Sequence, residues 1–229
     1  MKGKVIVFEG VDASGKATQS QLLHDRMRQE GYRVELIAFP RYNEFFGSII
    51  GKYLRGDFGK KEDLPDEFIA LLFSIDRYQL KKEIENGLNG GNNYVFDRYF
   101  TSNYGFSTAR KENEKERNEL LNWLKELESR MPQPDLVVFL DMPLEAIGVL
   151  MLGEDRKKKE AYRKGLEKDI HEGDMEYLDS VRRVFMELSK KEKNWAKIDC
   201  TKFEEHKMKI RTKEEIHEQI WKKVKPILG

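Results

Sequence analysis

The sequence predicts an α/β domain: a doubly wound, five-stranded parallel sheet flanked by helices. Three observations carry that prediction. Val5-Ile6-Val7-Phe8-Glu9 is a short apolar strand followed at once by a glycine-flanked loop and a helix start, with Gly10 to Lys16 at the spacing G-x-x-x-x-G-K. Short apolar runs then alternate with helical stretches along the chain, the order that builds parallel sheets. Leu136-Val137-Val138-Phe139-Leu140-Asp141 is an unbroken apolar run, as a strand covered on both faces must be. Ligands of such sheets bind beyond the carboxyl ends of the strands, so residues distant in sequence are expected on one edge.

With 229 residues the chain is long enough to bury one sizeable core, and a single domain over 1–229 is expected. Charge is high but balanced, 42 Lys+Arg against 41 Asp+Glu. No broad field for a polyanion follows, so nucleic acid is not an expected partner and any cationic site must be local. The single cysteine, Cys200, excludes an intramolecular disulfide and fits a reducing compartment. Met1-Lys2-Gly3 leads directly into the first strand, and no apolar run approaches the ~18 residues of a membrane span. A cytoplasmic protein without a membrane partner is therefore expected.

The elements follow in order. Gln19 to Glu30 carries Leu22, Leu23 and Met27 at helical spacing and is ended by Gly31. Arg33 to Phe39 reads as the second strand, stopped by Pro40. Phe45 to Leu54 is apolar at helical intervals. Pro65 opens one long helix, about Asp66 to Asn86, ended by Gly87. Tyr94 to Asp97 is the third strand, followed by a helical stretch with Ser102, Asn103 and Phe106. Asn113 to Arg130 is a polar helix bearing Leu120, Leu124 and Leu127, and Leu136 to Asp141 is the fourth strand. Leu144 to Met151 starts another helix. Glu154 to Lys168 is almost wholly charged and has little to bury. Asp174 to Leu188 returns to helical periodicity, Trp195 to Asp199 is a short fifth strand, and Thr212 caps a last helix through Ile216, Ile220, Trp221 and Val224.

Candidate chemistry gathers at the predicted strand ends. The backbone amides of Gly10, Val11, Asp12, Ala13, Ser14, Gly15, Lys16, Ala17 and Thr18 and the helix N-terminus behind them suit a polyphosphate, with Lys16 as a point charge. Ala17 stands where this motif calls for a Ser or Thr hydroxyl on Mg²⁺, with Thr18 one place later. Asp97 and Arg98 follow the third strand: a carboxylate there can hold Mg²⁺ or its waters, and a guanidinium can fork onto a phosphate. A surface Asp–Arg pair fits the same residues. Phe39-Pro40-Arg41 alone reads as a proline turn with an exposed cation. Phe73 and Arg77, four apart on one helix, can stack on a base and hydrogen-bond its edge; the spacing alone favours a core Phe beside a solvated Arg. The charged run from Arg156 to Arg163 fits either a cationic flap over polyphosphate or a solvated face.

Together these pieces resemble the thymidylate kinases, within the P-loop nucleoside monophosphate kinases. The resemblance spans roughly Lys4 to Asp199. It lies in Phe8 to Lys16, Phe39-Pro40-Arg41, Leu72-Phe73-Ser74 with Arg77, Asp97-Arg98-Tyr99 with Ser102-Asn103, and Pro134 to Asp141. It implies a P-loop fold with a short lid at about 152–168, ATP and Mg²⁺ as cofactors, dTMP as acceptor and a homodimer, for which the apolar helix from Phe68 to Leu80 offers a face. By the same resemblance, Lys16 and the loop amides hold the ATP phosphates. Asp12 lies near the transferred phosphoryl group and, with Asp97, serves the metal. Arg98 binds the acceptor phosphate. Phe73 stacks on thymine, and Arg77 bonds its edge. Phe39, Ser102 and Asn103 lie against the nucleotide, Phe106 near the deoxyribose and Asp174 near the sugar. The family's phosphate-binding Arg after Phe-Pro falls at Arg41 or one position later, which is Tyr42 here. Ala13 replaces an Arg that some members carry in the loop, so the catalytic cation is expected from the lid, at Arg156 or Arg163. The readings left beside a dTMP kinase are a related nucleotide or deoxynucleoside kinase, for example one acting on dUMP, and a P-loop module that binds nucleotide without transferring phosphate.

Overall fold

The computed structural model describes residues 2–59, 63–147, 175–205 and 207–229. The expected lid, with Arg156 and Arg163, lies outside these residues, as does Asp174. Five strands form the sheet: β1 (Val5–Glu9), β2 (Val34–Ala38), β3 (Asn93–Asp97), β4 (Leu136–Asp141) and β5 (Trp195–Asp199). Their order is β2-β3-β1-β4-β5 and every pairing is parallel. β1 is thus central. Its register sets Phe8 opposite Asp97 on one side and opposite Val138 on the other. β1, β3 and β4 are buried almost throughout, as their apolar runs require.

Helices cover the sheet. α1 (Lys16–Gln29) packs on β1, β2 and β3, and α2 (Phe45–Leu54) packs on α3 (Asp66–Tyr78). α4 (Lys81–Asn89) lies on β3. α5 (Thr101–Phe106) meets α6 (Glu114–Leu127), and α7 (Met175–Lys191) packs on β4 and β5. After β5 comes an antiparallel hairpin of β6 (Thr201–Glu204) and β7 (Lys207–Ile210), then α8 (Lys213–Leu228), which lies against α1. α8 is opened by the expected cap: Thr212 accepts from the Glu215 amide, and the Glu215 side chain accepts from the Thr212 amide. Cys200, at the junction of β5 and β6, is fully buried. Its amide donates to the Asp141 carbonyl and its carbonyl accepts from the Arg211 amide.

Two local expectations are corrected. The single helix over Asp66 to Asn86 is two, α3 and α4. The chain tightens at Gln79–Leu80, where the Leu80 amide donates to Arg77 rather than one residue further back. The break turns Leu80, Ile84 and Leu88 into the core. Gly87 does not end the helix but lies inside α4. A Cβ there would stand 2.0 Å from the Tyr94 hydroxyl oxygen, so the glycine serves close approach of helix and sheet. The β6–β7 hairpin is an element that the sequence reading did not contain.

Candidate active site

The loop after β1 is shaped to leave donors unused. Lys16 begins α1 behind Gly15, and no side chain caps that end. The first amides of α1 therefore lack intrahelical partners and converge with the positive end of the helix dipole. Gly10 permits the crossing of β1 into the loop: a Cβ there would lie 2.7 Å from Ser14 Oγ and 3.0 Å from the Leu140 carbonyl. Lys16 Nζ donates to the Val11 carbonyl at 2.8 Å, which holds the ammonium across the loop. Burial, reinforced by Arg98, pulls its pKa down to about 8.

On the other side of β1 the chain turns sharply at Arg98, whose φ is +65°, a left-handed backbone that costs a non-glycine residue energy. The turn aims the guanidinium back at the loop, where it pairs with Asp12 and reaches the Gly10 carbonyl at 3.4 Å. Its carbon lies 4.9 Å from the centre of the Phe106 ring. Burial opposes the Arg98 charge, but Asp12, Glu9 and Asp97 outweigh it, and the pKa is raised.

A cavity opens beside this turn. Of the expected residues, Asp12, Phe39, Phe73, Arg77, Arg98, Ser102, Asn103 and Phe106 line it together. Arg41 does not: its amide donates to Asp76 Oδ2 at 2.8 Å, its Nε lies 3.5 Å from Oδ1, and the neighbouring Tyr42 lines the cavity instead. Phe73 is half-buried and meets Tyr53 edge to face at 6.2 Å. Arg77 is not a solvated cation. It is buried and paired at 2.6 Å with the buried Glu128.

Four acidic groups escaped the sequence reading. Glu9, at the end of β1, is buried and accepts from Thr101 Oγ1 (2.6 Å), Ser102 Oγ (2.7 Å) and the Tyr99 amide (3.2 Å), tying the phosphate-loop strand to the Arg98 turn. Desolvation raises its pKa against those donors and Arg98. Asp66 pairs with Arg110 and Lys111 at 2.7 Å each and lines the cavity with Arg110 and Tyr177. Asp76 secures Arg41, and Glu128 secures Arg77. Glu9 closes a wholly apolar strand, and Glu128 falls four residues after Leu124 on the buried face of its helix; for Asp66 and Asp76 only the partner, brought from another element, distinguishes them from solvated acids.

Comparison with known proteins agrees with this geometry. The family model described as thymidylate kinase matches residues 8–210. The chain belongs to the thymidylate kinase family. It is 32% identical to thymidylate kinase from Homo sapiens over 203 residues, 88% of this chain and 84% of that protein. With the probable thymidylate kinase of Methanosphaera stadtmanae it shares 30% over 224 residues, 96% and 98% of the two chains. The solved structure of thymidylate kinase from Candida albicans superposes with a TM-score of 0.74 at 25% identity, covering 99% of this chain and 92% of that one. The family's enzymes are ATP-dependent nucleoside monophosphate kinases, and the five-stranded parallel sheet is that of a P-loop fold. Among the described residues no helix is long and apolar enough to cross a membrane.

Proposed function

We propose that this chain transfers the γ-phosphoryl group of ATP to dTMP, giving ADP and dTDP. The observation that carries the reading is one cavity with two chemically different ends. Phe73, Arg77 and Asn103 suit a flat base with a polar edge, and Arg98 with Asp12 lies beside the phosphate loop. The acceptor's phosphate oxygen is already ionised at neutral pH, so it needs no strong base to attack the γ-phosphorus in line. Positioning and charge neutralisation supply the catalysis. Lys16 and the loop amides 10–18 orient the donor phosphates, and Arg98 orients the acceptor. Phe106, packed against Arg98 on the cavity wall, is assigned to the deoxyribose, where it would disfavour a 2′-hydroxyl. The lid cation is assigned to Arg156 or Arg163 in the segment 152–168, and a sugar contact to Asp174.

For Mg²⁺, the donor set fits a hard cation held largely by its substrate. Among the described residues no cluster of three or more His, Cys, Asp or Glu side chains forms a cage, and Mg²⁺ needs only one or two carboxylates besides phosphate and water. Asp12 and Asp97, both acting on Lys16 and Arg98, would hold it. The ion would neutralise charge on the transferring phosphates. A homodimer through α3 is supported by its exposed stripe of Phe68, Leu71, Ile75 and Tyr78, recurring at helical spacing. A cytosolic location is supported by the single reduced cysteine.

The test is ADP release with ATP and Mg²⁺ across a panel of monophosphates and nucleosides. Turnover confined to dTMP and close pyrimidine analogues is expected; turnover confined to nucleosides, or none with any acceptor, overturns the reading. Arg98→Ala is expected to lower kcat about 10²-fold and raise the KM for dTMP, since one preorganised donor to the transferring group is lost. Its side chain is partly exposed, so the melting temperature should move little, and near-normal kinetics would remove Arg98 from the mechanism.

A further inference from the structure

We infer that Glu128 is the positioning residue for base recognition: it fixes Arg77 and cancels its charge, so that the inner end of the cavity reads an uncharged base edge and refuses a phosphate. This rests on reading the cavity as the dTMP site.

Three side chains from two helices meet at one carboxylate oxygen of a third segment. Glu128 Oε1 accepts from Arg77 Nη2 at 2.6 Å and from Ser74 Oγ at 2.6 Å, with Asn103 Nδ2 at 3.4 Å. Arg77 Nη2 and Asn103 Nδ2 also reach Ser74 Oγ, at 3.3 and 3.2 Å. Arg77 and Asn103 line the cavity; Glu128 and Ser74 stand behind them. The network therefore does not touch the ligand space through Glu128 itself. It sets the plane of the Arg77 guanidinium and takes up the amide nitrogen of Asn103, which leaves the amide oxygen as that residue's remaining group.

The electrostatic consequence concerns which way the ligand enters. Three guanidinium groups line the cavity: Arg77, Arg98 and Arg110, the last sharing Asp66 with Lys111. A monophosphate is drawn to whichever carries net positive charge. The partner of Arg77 is a carboxylate with no exposure, held by a second donor from Ser74, so the guanidinium has its counter-charge beside it and out of reach of solvent. The partner of Arg98 is Asp12, whose side chain is 31% exposed beside the phosphate loop. The two pairs thus differ in how readily a phosphate or a metal displaces the carboxylate, and of these two the Arg98 pair is the one suited to exchange.

Glu128→Gln preserves shape and the Oε1 acceptor while removing the charge. In steady-state kinetics it is expected to raise the KM for dTMP about tenfold, the scale of one charge-assisted hydrogen bond, while kcat and the KM for ATP stay within about twofold. Inorganic phosphate is expected to compete with dTMP more strongly in this variant than in the parent, because Arg77 then carries net charge; a purely structural loosening would not produce that. In an Arg77→Gln background the Glu128→Gln change is expected to add little, because Glu128 acts through Arg77. Ser74→Ala provides a second route to the same carboxylate and is expected to shift the dTMP KM in the same direction, by less. An unchanged dTMP KM in both variants, a parallel loss in the ATP KM, or a full effect persisting without Arg77 overturns the inference. Turnover of dTMP by the parent protein tests the underlying reading separately: without it the assigned function fails, and with it only the role of Glu128 is at stake.

Discussion

Glu128→Ala is expected to cost about 3–5 kcal/mol of stability, because it strands a buried guanidinium. The Arg77 and Glu128 side chains are 2% and 0% exposed, so neither can turn to water when its partner is removed. Ser74 and Asn103 lose an acceptor in the same step. Forming the pair has already cost the desolvation of both ions, so its net contribution is far smaller than the cost of breaking it. Urea unfolding of Glu128→Ala, Arg77→Ala and the double variant separates the two quantities: the double variant should be much less destabilised than the sum of the singles. A loss below about 1 kcal/mol in Glu128→Ala would show that the pair is not sealed from solvent.

Lys16→Ala is expected to reduce kcat about 10³-fold with the fold intact, the upper range for loss of one preorganised charge at a transferring group. The residue is buried at the start of α1, and its ammonium, bonded to the Val11 carbonyl, is desolvated before the nucleotide arrives. That desolvation has a pH signature. A lowered pKa means that the folded, nucleotide-free protein disfavours the charged form, so the group loses its proton as pH rises through about 8. Binding a polyphosphate restores the charge. Calorimetry in buffers of differing ionisation enthalpy should therefore show uptake of close to one proton per ATP at pH 9 and almost none from this group at pH 6.5, with ATP affinity weakening above pH 8. The same sign applies to folding: the penalty for the buried ammonium is complete below pH 8 and is relieved between about 8 and the model-peptide value. Proton uptake that persists in Lys16→Ala would assign the titration elsewhere.

The fold was legible where a single physical constraint writes itself into adjacent residues. β1, its loop and α1 are one such case, because a strand end, a glycine with no room for a Cβ and an uncapped helix start must follow each other. β4 is another, since a strand covered on both faces has no position left for polarity until Asp141. The break between α3 and α4 was not legible: Leu80, Ile84 and Leu88 continue a helical period, and only contact with the sheet shows that the axis has turned. The hairpin of β6 and β7 hid because each strand is only four residues long: Lys207 to Ile210 does alternate, but over too short a run to stand out, and Thr201 to Glu204 offers Phe203 as its one apolar side chain. In the site, the ligand-facing residues were recognisable by type and spacing. Their supports were not. Glu128 does fall four residues after Leu124, on the buried face of its helix, whereas Glu126 does not; the spacing marks which acid is buried but not that Arg77 is its partner.

The burial of Cys200 makes this sulfur a clock for the edge of the sheet. Desolvation pushes its pKa up to about 12, so at neutral pH almost no thiolate exists, and no reagent reaches the sulfur while β5, β6 and the Arg211 strand end remain closed around it. Chemical modification must wait for that seam to part. As the chain has one cysteine, the rate of thiol labelling reports a single event, the opening of the junction that joins the fifth strand to the hairpin, without contribution from any other sulfhydryl. A nucleotide that clasps the end of β4 and its neighbours would slow this clock in proportion to how tightly it ties that seam, which turns an otherwise inert side chain into a meter of how far ligand binding stiffens the distant edge of the sheet.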